Sequence, residues 1–374
     1  MSRHEALAPV LVLFGGRSAE CDISTISGTA IAAALLDAGL QVAQAHIARD
    51  GSVRMLAAGH RRGDVSASSY TDLTAFALQG AQVFTLSEIL ERVAASAPET
   101  VLLPALHGPG DEDGAVAAAA AAAGLNYVGD SPSVAALGMD KPRFKLFARA
   151  HGVATLPDLV ITQREWGSDR ERVLRSIRSF AEEHSASGAL IGKPAAHGSS
   201  IGMQIARTSA QWGEAVDEAL RYGDRALLEP YLERARELEV AVLERTNGAV
   251  EAFGPGEVFP GREFYDYDAK YAPGVSRTAT SSDLPAPQAD KIRAAAATLF
   301  TAAGSRGLSR MDFLMARSGD RAGSWYLSEV NTFPGFTPIS LFPALVMSSG
   351  LSFADVCVEL VATAVARPAP RGTE

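Results

Sequence analysis

The chain has 374 residues, 47% of them hydrophobic, enough for two or three domains with sizeable cores and too apolar for general disorder. Its net charge of −9, with Lys and Arg scattered, argues against non-specific nucleic-acid binding, which needs a positive surface. Its two cysteines, Cys21 and Cys357, lie far apart without CxxC or Cys/His spacing, the pattern of a reduced, cytoplasmic protein lacking a zinc site.

Residues 10–14 are a continuous apolar run ending in Gly15-Gly16; this reads as a buried strand, too short for a signal segment or a membrane span. A helix is predicted from Glu20 to about Ala38, with Ile23, Ile26, Ala30, Ala34 and Leu35 near helical spacing and Gly39 as its stop. Residues 42–47 form a second strand closed by the Arg49-Asp50-Gly51 turn, and the serine-rich stretch 60–80 reads as a surface insertion. A third strand at 100–105 leads into the loop from His107 to Gly114 and an alanine-rich helix at 115–123. This βαβ alternation implies a parallel sheet, with ligands at the carboxyl ends of its strands. A different unit starts near Pro132: two helical pieces, strands at 158–162, 189–193, 203–206 and 226–229, and an amphipathic helix at 170–184. From Glu237 onward strands dominate, at 238–243, 249–253 and 325–330, flanked by helices at 287–304 and 352–365. Trp166, Trp212 and Cys357 read as packing residues.

The chemistry concentrates in residues 310–341. Arg310 and Asp312 stand two apart on one short strand, Glu329 and Asn331 two apart on the next, so each pair shares a face. Asp312, Glu329 and Asn331 offer oxygen donors that suit a hard divalent cation carrying phosphates. Lys193 precedes a loop of glycines and hydroxyls, Gly198-Ser199-Ser200-Ile201-Gly202, which could cradle a phosphate or be an ordinary turn; it is no Walker A loop, because the lysine comes first. The aromatic and charged run from Phe264 to Tyr271 could be a solvated loop or a lid that excludes water and delivers Lys270. His107, at a strand's carboxyl end, could be structural or catalytic. Glu20 opens a helix where a dinucleotide pyrophosphate would sit; its charge disfavours an anionic cofactor there and favours a substrate amine.

Seven motifs in register, from Phe14-Gly-Gly-Arg-Ser-Ala-Glu20 and His107-Gly-x-x-x-Glu-Asp-Gly114, through Met139-Asp-Lys141, Lys193-Pro-x-x-x-Gly-Ser-Ser-x-Gly202 and Tyr265-Asp-Tyr-x-Ala-Lys-Tyr271, to Arg310-x-Asp-Phe313 and Glu329-x-Asn-Thr-x-Pro-Gly-Phe-Thr337, resemble the D-alanine–D-alanine ligases of the ATP-grasp superfamily over nearly the whole chain. The resemblance implies an α/β and α+β protein: a Rossmann-like domain at 1–129 and two ATP-grasp subdomains at 130–233 and 234–374, with a lid at 260–275 and ATP held between the latter two. It implies Lys141 and Lys193 on the phosphates, Lys270 on the γ-phosphate, Glu229 and the backbone through Leu232 on adenine, and Glu237 on the ribose. Asp312, Glu329 and Asn331 would bind two magnesium ions, or manganese in their place. Glu20, linked to Ser199 and Tyr271, would hold the first amino acid; Arg310 and the Gly335 amide would stabilise an oxyanion; Ser340 and Leu341 would take the second carboxylate beside His107. Small-molecule substrates (D-alanine and ATP), a homodimer, and no nucleic-acid or membrane partner complete the expectation.

Three departures from the family pattern stand out. Asp111 replaces a usual glycine, Cys21 stands where histidine or arginine is frequent, and Pro230 follows Glu229 in place of a polar residue. Asp111 keeps a related D-alanine–D-serine or other carboxylate–amine ligase open as the alternative. Tyr271 favours an amine nucleophile over D-lactate, and the intact set of charged residues speaks against a catalytically dead ATP-binding regulator.

Overall fold

The computed structural model describes residues 8–55, 82–110, 112–261 and 276–367; Asp111, Lys270, Tyr271 and the serine-rich stretch lie outside them. The first third forms β1 (Val10–Gly15), α1 (Cys21–Asp37), β2 (Val42–Ile47), β3 (Val53–Met55), β4 (Val83–Phe84), α2 (Leu86–Ser96), β5 (Val101–Ala105), α3 (Ala115–Ala122) and β6 (Asn126–Tyr127). They build one sheet in the order β4-β3-β2-β1-β5-β6, parallel from β2 through β6 as the βαβ pattern required. The continuous apolar character of β1 follows from its central place. Val10, Val12 and Phe14 enter one core and Leu11 and Leu13 another, on the opposite face.

The periodicity read for α1 is corrected. Ile23, Ile26 and Ala34 are only half-buried, while Ser24, Thr25, Ser27, Gly28 and Thr29 are buried. The helix is covered on several sides, by β1, β2, β5 and the last helix of the chain, so small residues rather than an apolar stripe govern its packing.

The middle of the chain forms α4 (Pro132–Met139), α5 (Lys141–Ala150), β7 (Leu159–Thr162), α6 (Gln163–Ser168), α7 (Arg170–His184), β8 (Leu190–Pro194), β9 (Gln204–Ala206), α8 (Trp212–Leu220) and β10 (Arg225–Pro230). Its antiparallel sheet runs β7-β10-β8-β9. Trp166 and Trp212 sit in its core, as expected of packing residues.

The remainder forms β11 (Arg236–Glu244), β12 (Val250–Phe259), β13 (Arg277–Ala279), α9 (Ala286–Ala303), β14 (Leu308–Met315), β15 (Trp325–Asn331), α10 (Leu341–Met347) and α11 (Phe353–Val365). Its antiparallel sheet runs β13-β12-β11-β14-β15. Strand β12 extends six residues past the expected end at Phe253, because Gly254-Pro255 is taken up by a bulge opposite Val240. Leu238, Val240, Val242, Met311 and Phe313 pack on one face with α9 and with Phe144 and Ala148 of α5. The two-residue alternation then turns Glu237, Glu239, Arg310 and Asp312 to the opposite face, and this positions the site. Cys357 is buried in α11, and its thiol is pushed far up by that burial. Among the described residues no helix is long and apolar enough to cross a membrane.

Candidate active site

A cavity of about 770 Å³ opens between the central and C-terminal sheets. Lys193 and Ile191 of β8, Glu229 and Pro230 of β10, and the segment through Leu232 form one wall. Glu237 and Glu239 of β11, Arg310 and Asp312 of β14, and Glu329 of β15 form the other.

Strand register assembles the acidic end. Arg310 faces Asn331 and Asp312 faces Glu329 across β14 and β15. Arg310 grips Asp312 with two hydrogen bonds of 2.7 Å, and its Nε lies 3.0 Å from Glu239 Oε2. Burial alone would disfavour the guanidinium, but Asp312, Glu239 and Glu329 together hold it firmly protonated. The Asn331 amide donates to Asp312 at 3.0 Å. Asp312, Glu329 and Asn331 are a hard donor set that fits a divalent cation. Among the described residues no three His, Cys, Asp or Glu side chains converge as a metal cage, so ligand oxygens would have to complete such a site.

Lysines come from the facing elements. Lys141, the first residue of α5, reaches both the His197 carbonyl and Glu329 Oε2, the latter at 3.2 Å. Lys193 Nζ lies 2.7 Å from Glu229 Oε2, and burial pulls its pKa down to about 8 while Glu329 opposes the shift. The loop that follows carries Ser199 and Ser200 at φ +54° and +56°, a left-handed conformation uncommon for non-glycine residues. The Ser199 hydroxyl is buried and finds no partner among the described residues.

A second cluster lies where α1 meets this loop. Gly15 makes the approach possible at φ +97°, since a side chain there would strike the Ile47 carbonyl at 2.2 Å. The Glu20 carboxylate packs against two glycines: a Cβ on Gly108 would sit 3.1 Å and one on Gly198 3.4 Å from Oε2. His107 is buried, its Nδ1 3.2 Å from the Phe333 carbonyl and its Nε2 unpaired among the described residues. Burial lowers its pKa, with Glu20 opposing. Gly335 and Ser340 adjoin one another, Ser340 caps α10 ahead of Leu341, and the same loop is fastened to α1 through Phe336 N–H and Ser27. Cys21 is fully buried at the start of α1.

Three further charged residues belong to this constellation. Glu112, held by the Gly108 N–H at 3.2 Å, is raised to about 8 by burial and by Glu20. Glu239 faces Asp312 across β11 and β14. Lys145, buried, is drawn down to about 7 by burial and is ion-paired to Glu229. Each had a signal: Glu112 is the acid of the His-Gly-x-x-x-Glu motif, Glu239 stands two from Glu237, and Lys145 stands four from Lys141 on one helix face.

Residues 9–130 match the family description D-ala D-ala ligase N-terminus, and residues 147–362 match D-ala D-ala ligase C-terminus. A D-alanine–D-alanine ligase of Streptomyces coelicolor is 34% identical over 96% of this chain and 93% of its own length. One from Chlorobaculum tepidum is 32% identical, covering 95% and 96%. The chain belongs to the D-alanine–D-alanine ligase family. It is therefore an enzyme, an ATP-dependent, ADP-forming ligase, and its fold is the ATP-grasp arrangement expected from the motifs. The solved D-alanyl-alanine synthetase A of Vibrio cholerae, 27% identical, superposes with a TM-score of 0.77 over 96% of this chain and 99% of that one.

Proposed function

We propose that this ligase joins two D-alanine molecules into D-alanyl-D-alanine for peptidoglycan precursor synthesis, through an acyl-phosphate intermediate. The observation that carries the reading is the meeting of Lys193, Arg310, Asp312 and Glu329 on one cavity, with Lys141 paired to Glu329 and Asn331 to Asp312 behind its lining. Cations and a hard donor set are what a nucleoside triphosphate needs from a protein.

ATP occupies the cavity, its adenine against Glu229 and the backbone through Leu232, its ribose at Glu237, and its phosphates at Lys141, Lys193 and Lys270. Asp312, Glu329 and Asn331 would hold two magnesium ions, which would neutralise phosphate charge. Glu20, linked to Ser199 and Tyr271, anchors the ammonium of the first D-alanine. Transfer of the γ-phosphoryl group converts the carboxylate, a poor electrophile, into an acyl phosphate. The second D-alanine lies beside His107 with its carboxylate at Ser340 and Leu341. Its amine attacks the acyl carbon, Arg310 and the Gly335 N–H steady the oxyanion, and phosphate leaves. Water must be excluded throughout, because the acyl phosphate hydrolyses. The domain division at 129 and 233 is supported by three sheets; a cytoplasmic homodimer is part of the same reading.

The test is phosphate release from ATP and magnesium with a panel of D- and L-amino acids. Release with D-alanine alone, and D-alanyl-D-alanine in the product, is expected. Release only with D-serine as the acceptor, or with none of the panel, would overturn the assignment.

A further inference from the structure

Beneath the nucleotide cavity lies a charged group that no step above uses. Lys145 projects from α5, one helical turn past Lys141, and is only 1% exposed. Its ammonium meets Glu229 Oε1, while Lys193 Nζ meets Oε2 of the same carboxylate at 2.7 Å. Glu229 is thus clamped between two ammonium groups, one on each oxygen. The second acid near Lys145, Asp158, lies 3.8 Å away and has a closer partner in Arg149 at 2.6 Å. Lys145 therefore belongs mainly to Glu229. Lys193 and Glu229 line the cavity, whereas Lys145 does not.

We propose that Lys145 is a positioning residue for the nucleotide site: by balancing Glu229 from below, it leaves the charge of Lys193 available to a phosphate of the nucleotide. The inference rests on reading the cavity as the ATP site. With Lys145 in place, two lysines share one carboxylate, so Lys193 is not its sole counter-ion. Without it, Lys193 becomes the sole counter-ion of a buried carboxylate. Breaking such a pair strands a charge in low dielectric, so Lys193 stays on Glu229 and is lost to the ligand. Lys145 itself touches no substrate.

Calorimetry with ADP and steady-state kinetics against ATP, both on the full chain, test this. Lys145→Met, close in volume and uncharged, is expected to weaken ADP binding and raise the KM for ATP by at least about tenfold, with kcat within about threefold of the parent. Adding Glu229→Gln removes the carboxylate that captures Lys193, so the double variant should bind ADP within about threefold of Glu229→Gln alone. An unchanged KM in Lys145→Met, or a double variant that binds ADP much more weakly than Glu229→Gln alone, overturns the proposal. If Lys145→Met does not fold, the double variant decides: its folding and binding supports charge balance, and its failure to fold makes Lys145 a packing residue. A parent chain that binds no ADP overturns the reading of the cavity. A parent weakened by Lys193→Met but indifferent to Lys145→Met overturns this inference alone.

Discussion

Arg310 and Asp312, two residues apart on β14, are locked together by two parallel hydrogen bonds of 2.7 Å each. The fork fixes the guanidinium plane and, equally, one carboxylate of the proposed cation site. Lysine keeps the charge but cannot make the fork. Arg310→Lys is expected to lower kcat by about 10²–10³-fold, the usual effect of losing an oxyanion donor, with little change in melting temperature. Phosphate release and thermal denaturation measure the two. Arg310→Ala is the less informative variant, because it leaves Asp312 and Glu239 buried without their cation.

Glu329 shares Lys141 at 3.2 Å and lies opposite Asp312. Replacing it by glutamine keeps the shape and removes one negative charge from the proposed magnesium site. Glu329→Gln should raise the magnesium concentration needed for half-maximal phosphate release by at least about tenfold, and chelation by EDTA should silence the parent enzyme. Activity of the parent in excess chelator would rule out the divalent cation.

Gly28 sits on the face of α1 that meets β1. A Cβ there would fall 2.4 Å from the Phe14 Cβ, and Phe14 is fully buried. Helix and strand would have to separate. Gly28→Ala is expected to cost about 1–3 kcal/mol, the range for overpacking a tight core, despite alanine's better helix propensity. Chemical denaturation reads this; a variant as stable as the parent would mean that α1 can shift without loss.

That contact also marks where the sequence stopped being legible. Strands at 42–47 and 325–330 emerged nearly to the residue, because continuous or alternating apolar runs bounded by turns have few other interpretations. The motif residues Arg310, Asp312, Glu329 and Asn331 were legible as a group because two-residue spacing on strands fixes a shared face. Helix α1 was found but its buried side misjudged, since glycine, serine and threonine carry no hydropathy signal when neighbours cover them. Helix α8 was missed between two strands despite its Trp212 anchor, and α10 is only seven residues long. Lys145 and Glu112 stood in legible spacings, but what they pair with was not legible, for a different reason. Their importance lies in burial beside opposite or like charges, and pairing across 84 residues, as between Lys145 and Glu229, leaves no local pattern.

Asp130 gives a prediction in which pH is the variable. It is 5% exposed, one oxygen accepts the Arg306 N–H at 2.6 Å, and the other has no partner among the described residues. Burial raises its pKa from 3.8 to about 7, with the Arg306 N–H and Arg367 opposing. In the window between those values the folded chain keeps a proton that the unfolded chain has released. The stability contribution is therefore complete below about pH 4, declines as pH rises, and is gone above pH 7. Glu112, raised to about 8, acts in the same direction, so the parent's pH profile alone would not isolate Asp130. The comparison with Asp130→Asn does, because the amide stays neutral at every pH. The two melting temperatures should coincide near pH 4 and diverge towards pH 8, with the asparagine variant higher by an amount corresponding to at most about 4 kcal/mol. Curves that run parallel from pH 4 to pH 8 would show that the carboxylate is solvated or paired in the folded chain.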